Sequence, residues 1–184
     1  MITRDEALKL VEEKVTNVNL RKHMWCTEAC LGAMAPRFGG DTGVWSLAGL
    51  LHDVCYEDAE RAGGALELHA EMGAKLAGEK GLSEEATHAI QAHAGRLPLE
   101  TDLDKVLYAV DPLTGLIVAA ALMHPEKLGG LQVSSVLKRF KDKRFAAGAD
   151  REQILKSAEF GMELEEFVSV CLEAMKVIRD ELGL

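Results

Sequence analysis

The chain of 184 residues has few aromatic side chains, few prolines and few segments rich in valine and isoleucine. Aromatic residues make up 5% of it, and there are four prolines. This composition disfavours β-sheets, because β-branched and aromatic side chains favour strands, whereas the abundant alanine and leucine favour helices. Hydrophobic residues at 48% and charged residues at 28% are typical of a globular protein. The sequence therefore predicts an all-α bundle of irregular helices.

Cysteines and long apolar segments are also scarce. The four cysteines show neither a disulfide framework nor a second close Cys/His pair that would complete a zinc motif. The longest uncharged stretch, Pro112 to Met123, is far shorter than the ~20 apolar residues of a membrane span. The charged N-terminus is unlike a signal peptide. We therefore expect reduced thiols, mostly in the core, and a cytoplasmic protein that does not enter a membrane.

Basic residues are outnumbered, since 21 lysines and arginines stand against 30 acidic residues for a net charge of −9. This balance argues against long nucleic acid as a partner, because such binding depends on neutralising phosphates. Residues 134–151 are the exception, with six basic and two acidic residues and a local charge of +4. The basic segment favours a small anionic partner, while a solvated loop with scattered lysines and arginines is an equally good interpretation.

Capping motifs and apolar periodicity divide the chain into helices. A capping box at Thr3-x-x-Glu6 begins the first helix. Proline in position 112 is expected to bend or restart the helix that leads to Asp111, because the residue before proline disfavours helical geometry. Further helices are predicted from near Leu20, over 44–53, over 66–78, from Ser83, from Thr101, over Leu116 to Met123, and over 151–182 after a cap at Asp150.

Histidines and aspartates stand at the ends of strongly apolar helices. His52-Asp53 directly follows Leu47 to Leu51, and Asp111 follows Val106 to Val110. A buried carboxylate without a partner is costly, so these aspartates are expected to be paired or to bind a metal ion. A helix-terminal His-Asp pair that bonds only to the backbone is the alternative interpretation of the dipeptide.

The order of His23, His52-Asp53, His69, His93 and Asp111 resembles the HD-domain superfamily of metal-dependent phosphohydrolases. Its signature is H…HD…D on an all-α bundle, with two further histidines in two-metal members. The segments "HAEMGAKLA" from His69, "IQAHAGR" up to Arg96 and "YAVDPLTGLI" around Asp111 resemble the family's motifs, and "SSVLKRFKDKRFAAGADRE" resembles a subgroup of small bacterial and archaeal members. The resemblance implies one HD domain over 1–184, with a metal-site core over about 20–115, a basic loop over 134–151 and a C-terminal helix over 151–182.

The resemblance also implies a set of metal ligands. A first ion would bind to His23, His52, Asp53 and Asp111, and a second to Asp53, His69 and His93. Histidine and carboxylate ligands suit iron, manganese, zinc, nickel or cobalt, with one or two ions per chain. Asp53 would then be the bridging carboxylate that holds the nucleophilic water. The implied activity is hydrolysis of a nucleotide or another small phosphate ester.

The sequence departs from the family pattern after the His-Asp pair. Val54-Cys55-Tyr56 follows it, so that Tyr56 replaces a lysine that contacts substrate phosphate in some branches. The Gly-Tyr-Pro motif of the cyclic-dinucleotide phosphodiesterases is also missing, which argues against that substrate. Phosphate binding is therefore predicted to come from other basic residues, namely Arg96, Lys127, Lys141 and Arg144.

Two other functions fit the same residues. Some two-iron members of the superfamily are oxygenases with this ligand set, so a di-iron oxygenase is one alternative. The other is a non-catalytic, metal-stabilised domain that binds a nucleotide without hydrolysing it. Neither the metal, the substrate nor the oligomeric state follows from the sequence.

Overall fold

The protein is described by a computed structural model that covers the backbone of residues 1–184 and the side chains of all residues except 65–67. The described backbone contains helices and no β-strand, which confirms the all-α prediction. Two short 3-10 helices, Ala35–Phe38 and Lys156–Phe160, interrupt the series. The α-helices in chain order are α1 (Arg4–Lys14), α2 (Val18–Met34), α3 (Thr42–Leu51), α4 (Tyr56–Arg61), α5 (Ala65–Glu79), α6 (Glu84–Ala92), α7 (Asp102–Leu122), α8 (Lys127–Gly130), α9 (Val133–Lys141), α10 (Arg151–Leu155), α11 (Leu164–Val177) and α12 (Arg179–Leu182).

Side-chain caps explain where several helices begin. Thr3 and Glu6 form the predicted capping box of α1, in which each side chain accepts a hydrogen bond from the backbone of the other residue. Ser83 caps α6 as predicted, because its hydroxyl accepts from the N–H of Ala86. At α3, the carboxylate of Asp41 accepts from the N–H of Val44. The caps at Asp41 and Ser83 fix the start of the two helices that end at the candidate site.

The helix that carries Asp111 differs from the prediction, because α7 continues through Pro112 instead of restarting after it. A proline inside a helix costs about 3 kcal/mol. Contacts along α7 with α2, α6, α9 and α10 hold the helix together on several sides, and packing of this extent outweighs the local cost. Asp111 therefore lies in the middle of a long buried helix.

The prediction of a single C-terminal helix over 151–182 is also wrong, because the segment is divided into α10, a 3-10 helix, α11 and α12. Gly161 ends the 3-10 helix with a φ of 78°, a left-handed conformation that glycine adopts without strain. Glu163 then begins α11. Four shorter helical segments therefore stand where the sequence predicts one long helix.

The predicted basic loop over 134–151 is helical in its first half, because residues 134–141 belong to α9. The remainder is organised by Arg151, whose guanidinium group donates hydrogen bonds to five backbone carbonyls. The accepting residues are Phe140, Asp142, Phe145, Ala146 and Ala149. Arg151 is therefore a structural residue of this segment, and only part of its predicted charge faces solvent.

Helices α2 and α3 approach each other closely at Gly49. A Cβ atom at this position would lie 2.8 Å from the carbonyl oxygen of Thr27 and 2.9 Å from the backbone nitrogen of Glu28. These neighbours are backbone atoms, so they cannot move aside as a flexible side chain does. Gly49 thus sets the distance between the helix that carries His23 and the helix that ends at His52.

We expect Gly49→Ala to lower the free energy of unfolding by about 1–3 kcal/mol, because the added methyl group overpacks the contact between α2 and α3. Gly115→Ala is the matched control. Gly115 lies in the middle of α7 and a Cβ there meets nothing within 4 Å, so alanine should raise the free energy of unfolding by up to about 1 kcal/mol. Urea unfolding of both variants measures the difference. A Gly49→Ala variant as stable as Gly115→Ala would contradict the close packing.

The buried core contains the four cysteines and most of the long apolar helix α7. All four cysteines are free and buried, as predicted. Helix α7 is long and apolar enough to span a membrane by length and composition, but 56% of its most apolar stretch is buried inside the protein. A core helix meets this test of length and composition as readily as a membrane span does. Other large buried side chains include Trp45, Phe167, Leu31, Leu50 and Met24.

Candidate metal centre

Five segments bring the six predicted residues together. Three of these residues lie at helix ends, since α3 ends at His52, the turn after it holds Asp53, and α6 ends at His93. The other three side chains project from within helices. These are His23 on α2, His69 on α5 and Asp111 on α7.

One half of the cluster is formed by His23, His52 and Asp111. The Nε2 atoms of the two histidines lie 3.1 Å apart. The Oδ1 atom of Asp111 is 3.0 Å from His23 Nε2 and 3.9 Å from His52 Nε2. Three donor atoms from three different helices therefore face one small volume.

The other half is formed by His69 and His93, whose Nε2 atoms are 3.2 Å apart. Asp53 lies between the two halves. Its Oδ1 atom is 3.5 Å from the Nε2 of both His69 and His93. Its Oδ2 atom is 3.5 Å from His52 Nε2 and 3.8 Å from His23 Nε2. The two oxygens of one carboxylate are thus divided between two pairs of histidines.

Backbone carbonyls orient two of the imidazole rings. His52 Nδ1 lies 2.7 Å from the carbonyl oxygen of Gly49, and His93 Nδ1 lies 2.5 Å from that of Ile90. A carbonyl only accepts, so each Nδ1 carries a proton and donates it. In the neutral ring, the lone pair is then on Nε2, which faces the cluster. This is the tautomer that binds metal ions through Nε2.

Thr114 orients the third ring. Its hydroxyl donates to the carbonyl of Asp111 at 2.9 Å, and the same oxygen lies 3.0 Å from His23 Nδ1. Because the single hydroxyl proton is used, the oxygen accepts from His23 Nδ1–H. The side chain is fully buried. Thr114 therefore aims His23 Nε2 at the cluster and connects it to the backbone of Asp111.

Burial and mutual contacts shift the pKa values of the cluster. Burial lowers the pKa of His52 to about 4, so this ring is neutral at physiological pH. Burial alone would raise the pKa of Asp53, but the neighbouring histidines, chiefly His52 and His93, hold it well below its usual value. Asp53 is therefore an anion between the two halves of the cluster.

The pKa values of His23 and His93 are raised, in contrast to that of His52. Burial favours their neutral forms, yet hydrogen bonding raises the pKa of His23 beside Asp111 and that of His93 beside Asp53. The metal-free site thus retains protons where a cation would bind. Binding of a metal ion would release them, because a histidine ligand must offer a lone pair.

The donor set and its spacing fit divalent transition metals. Four imidazole nitrogens and two carboxylates are the ligands that iron, manganese, zinc, nickel and cobalt accept. Metal–ligand bonds of ~2.1 Å at tetrahedral or octahedral angles place neighbouring donors roughly 3.0–3.5 Å apart, which is the spacing within each histidine pair. Three overlapping groups of the six residues have donor atoms within 4.8 Å of one another. The residues present therefore fit one or two bound ions.

Solvent reaches some residues of the cluster much more than others. The side chains of His23 and Asp111 are 22% and 28% exposed, whereas His52 is fully buried and His93 is 3% exposed. A ligand from solvent therefore reaches the cluster from the side of α2 and α7.

Sequence reasoning missed several supporting residues. Thr114 and Gly49 carry no sequence signal of their own, because their roles depend on contacts between helices. The Tyr56 ring lies 5.4 Å from the ring of His69, so it borders the buried half of the cluster. His88 bonds to buried Asp104 at 3.0 Å and is outside the cluster.

The four predicted phosphate-binding residues are dispersed. Arg96 is exposed in the bend that follows α6, three residues after His93. Lys127 donates to the carbonyl of Gly183 at 2.7 Å, which ties it to the C-terminus. Lys141 is exposed at the end of α9, and the side chain of Arg144 is 95% exposed with its Nε 3.6 Å from Asp142.

Comparison with known proteins adds an independent finding. The HD domain family matches residues 20–121, more than half of the chain. The chain is also similar to ribonuclease Y of Rubrobacter xylanophilus, at 30% identity over 125 residues, and to ribonuclease Y of Oleidesulfovibrio alaskensis, at 34% over 97 residues. These matches cover 66% and 53% of the chain but only 24% and 18% of the two relatives. The chain thus spans less than a quarter of either relative, and no solved structure matches it significantly.

Proposed function

The chain belongs to the HD-domain family, and from this premise we propose that it is a phosphohydrolase that uses two divalent metal ions to hydrolyse a small phosphate ester. The observation that carries the proposal is the position of Asp53, whose two oxygens face two different histidine pairs. A carboxylate shared in this way is suited to hold two ions side by side. The name of the similar ribonucleases also supports a phosphate ester as the substrate class.

Each residue of the cluster would have its own role in hydrolysis. When bound, the divalent metal supplies Lewis-acid chemistry: it lowers the pKa of water and neutralises charge on phosphoryl oxygens. Asp53 contributes the negative charge between the two histidine pairs and orients both of them. The hydrogen bonds at Nδ1 of His23, His52 and His93 leave Nε2 of each ring facing the cluster, so these three residues would hold an ion without turning their rings. No serine or cysteine nucleophile is then required.

The exposed side of the cluster suggests how substrate enters. A phosphate group would approach past His23 and Asp111, the two ligands that solvent reaches. The net charge of −9 repels a long polyanion, so a small substrate such as a nucleotide is favoured. Arg96 is the predicted phosphate-binding residue that follows a cluster residue most closely in the chain. A cytoplasmic location belongs to the same proposal.

Removal of metal tests the function directly. We expect the chelated protein to lose hydrolysis of p-nitrophenyl phosphate, bis-p-nitrophenyl phosphate and nucleoside monophosphates, and to regain it when manganese, iron, cobalt, nickel or zinc is added back. Metal content is measured on the same samples by elemental analysis. Full activity in protein shown to be metal-free would overturn the proposal. Oxygen uptake by the iron-loaded protein without any phosphate release would instead favour the oxygenase alternative.

A further inference from the structure

A cavity lies at the C-terminal end of α7, away from the metal centre. Its volume is about 240 Å³, and it is formed where the end of α7 meets the segment that leads into α9. The lining residues are Ala120, Met123, His124, Leu131, Ser135, Lys138 and Arg139. Three residues of the basic segment over 134–151 therefore line this cavity, namely Ser135, Lys138 and Arg139. The cavity has no role in the proposed hydrolysis.

The polar groups of this cavity are all able to donate hydrogen bonds. Lys138 and Arg139 carry positive charge and, among the residues that the structure describes, neither forms an ion pair. His124 Nδ1 accepts from the N–H of Glu126 at 3.2 Å, so its ring proton is on Nε2, which is left to donate. Ser135 adds a hydroxyl group. No carboxylate is among the described residues that line the cavity.

Two of these donors are held in place by their own contacts. The guanidinium carbon of Arg139 lies 4.7 Å from the centre of the Phe145 ring, a cation–π contact that limits the motion of the side chain. The bond from Glu126 to His124 fixes the imidazole ring. Donors that are oriented before a ligand arrives lose less conformational entropy when it binds.

The cavity is separate from the metal centre. Ala120 follows Asp111 by nine residues on α7, which is about 14 Å along the axis at 1.5 Å per residue. Nine residues at 100° each also place the two side chains on opposite faces of the helix. A phosphate group bound among the six residues of the metal centre therefore cannot reach Lys138 or Arg139.

We propose that this cavity is a second anion site, which binds a phosphate monoester of a small molecule. Lysine, arginine, histidine and hydroxyl donors are the groups that recognise phosphate oxygens. The apolar walls formed by Ala120, Met123 and Leu131 would contact the organic part of the ester. The rest of the chain carries a net charge of −13 outside residues 134–151, so an anion is attracted to this surface in preference to others.

The test measures binding, independently of hydrolysis, in the full chain after chelation. Inorganic phosphate and phenyl phosphate are titrated at low salt by isothermal calorimetry. We expect wild-type protein to bind both, with phenyl phosphate tighter because its ring contacts the apolar wall. Lys138→Gln/Arg139→Gln should weaken both affinities at least about 10-fold, in line with the loss of two charge-assisted hydrogen bonds. Both side chains reach solvent, and a circular dichroism spectrum verifies that the variant is folded.

The matched control is Lys75→Gln/Lys143→Gln. It removes the same amount of charge at two exposed lysines, neither of which lines the cavity, so phosphate affinity of the chelated protein should stay within about twofold of wild type. An equal loss in both double variants would reduce the effect to overall charge and overturn the site. So would the absence of binding in wild type. Equal affinity for the two probes would overturn the monoester assignment. None of these outcomes depends on whether the metal-loaded protein hydrolyses phosphate esters.

Discussion

Asp53→Asn is expected to abolish metal-dependent hydrolysis and to reduce the metal content of the protein. Asparagine offers one weakly ligating oxygen and an NH₂ group that only donates, so one of the two histidine pairs loses its shared carboxylate. The buried negative charge between the histidines is lost as well. The rate should fall by at least about 10²–10³-fold, as when a single group that stabilises developing charge is deleted. Initial rates and elemental analysis of the same samples measure both effects.

Asp41→Asn is the matched control for this variant. Asp41 begins α3, the helix that ends at His52, and its carboxylate accepts from the N–H of Val44 at 2.9 Å. Asparagine caps helices as well as aspartate does, so rate and metal content should equal those of wild type. If Asp53→Asn kept the wild-type rate with its metal, Asp53 would have no part in the chemistry. If Asp41→Asn lost activity equally, the effect would be one of folding.

The double variant His69→Ala/His93→Ala is expected to lower metal content from about two ions per chain to about one. It removes both nitrogens that face Asp53 Oδ1 and leaves His23, His52 and Asp111 in place. Asp53 also stays, so four residues of the chain could still hold the remaining ion. Hydrolysis should fall by about 10²-fold or more, because one ion cannot stabilise both the attacking and the leaving oxygen.

His88→Ala serves as the control for the two histidine replacements. His88 is on α6, as part of the helix that ends at His93, but its ring bonds to Asp104 instead of facing the cluster. This change should leave the metal content unmodified. One ion per chain in wild type and in the double variant alike would establish a mononuclear site and refute the two-metal proposal.

The residues of the candidate site were predictable because they violate the apolar pattern around them. Asp53 follows a run of buried side chains, and Asp111 stands in the middle of another. A carboxylate in such a position needs a partner, and the order of the histidines resembles a known signature. The structure brings all six side chains together as that resemblance implies.

The supporting contacts were not predictable, because they connect segments that are distant in the chain. Thr114 accepts from His23 across 91 residues, and Gly49 meets the backbone of Thr27. A buried threonine and a helical glycine are common in any core, so nothing in the sequence distinguishes these two. Their roles follow only from how α2 packs against α3 and α7.

The errors in the helix boundaries have the same physical origin. Local chemistry predicts a break at Pro112, but packing on several sides of α7 keeps the helix continuous. Local periodicity predicts one helix over 151–182, but a left-handed glycine at position 161 allows the chain to turn. In α7, the tertiary contacts outweigh the local effect of Pro112. In the segment over 151–182, the left-handed conformation of Gly161 ends the helix although the apolar periodicity continues.

The wide spacing of the six residues along the chain has a consequence for the unfolded state. An ion held by His23 and His52 is a cross-link that closes a loop of 29 residues, and one held by His69 and His93 closes a loop of 24. In polymer terms, such closures are unfavourable in a random coil, so the ion binds to the native chain far more tightly than to the coil. At a free metal concentration of 100 times the dissociation constant, this preference adds about 2.7 kcal/mol to the folding equilibrium. In the metal-bound protein, the residues that hold the ions would therefore also hold α2, α3, α5, α6 and α7 together, so that these helices unfold as one cooperative unit.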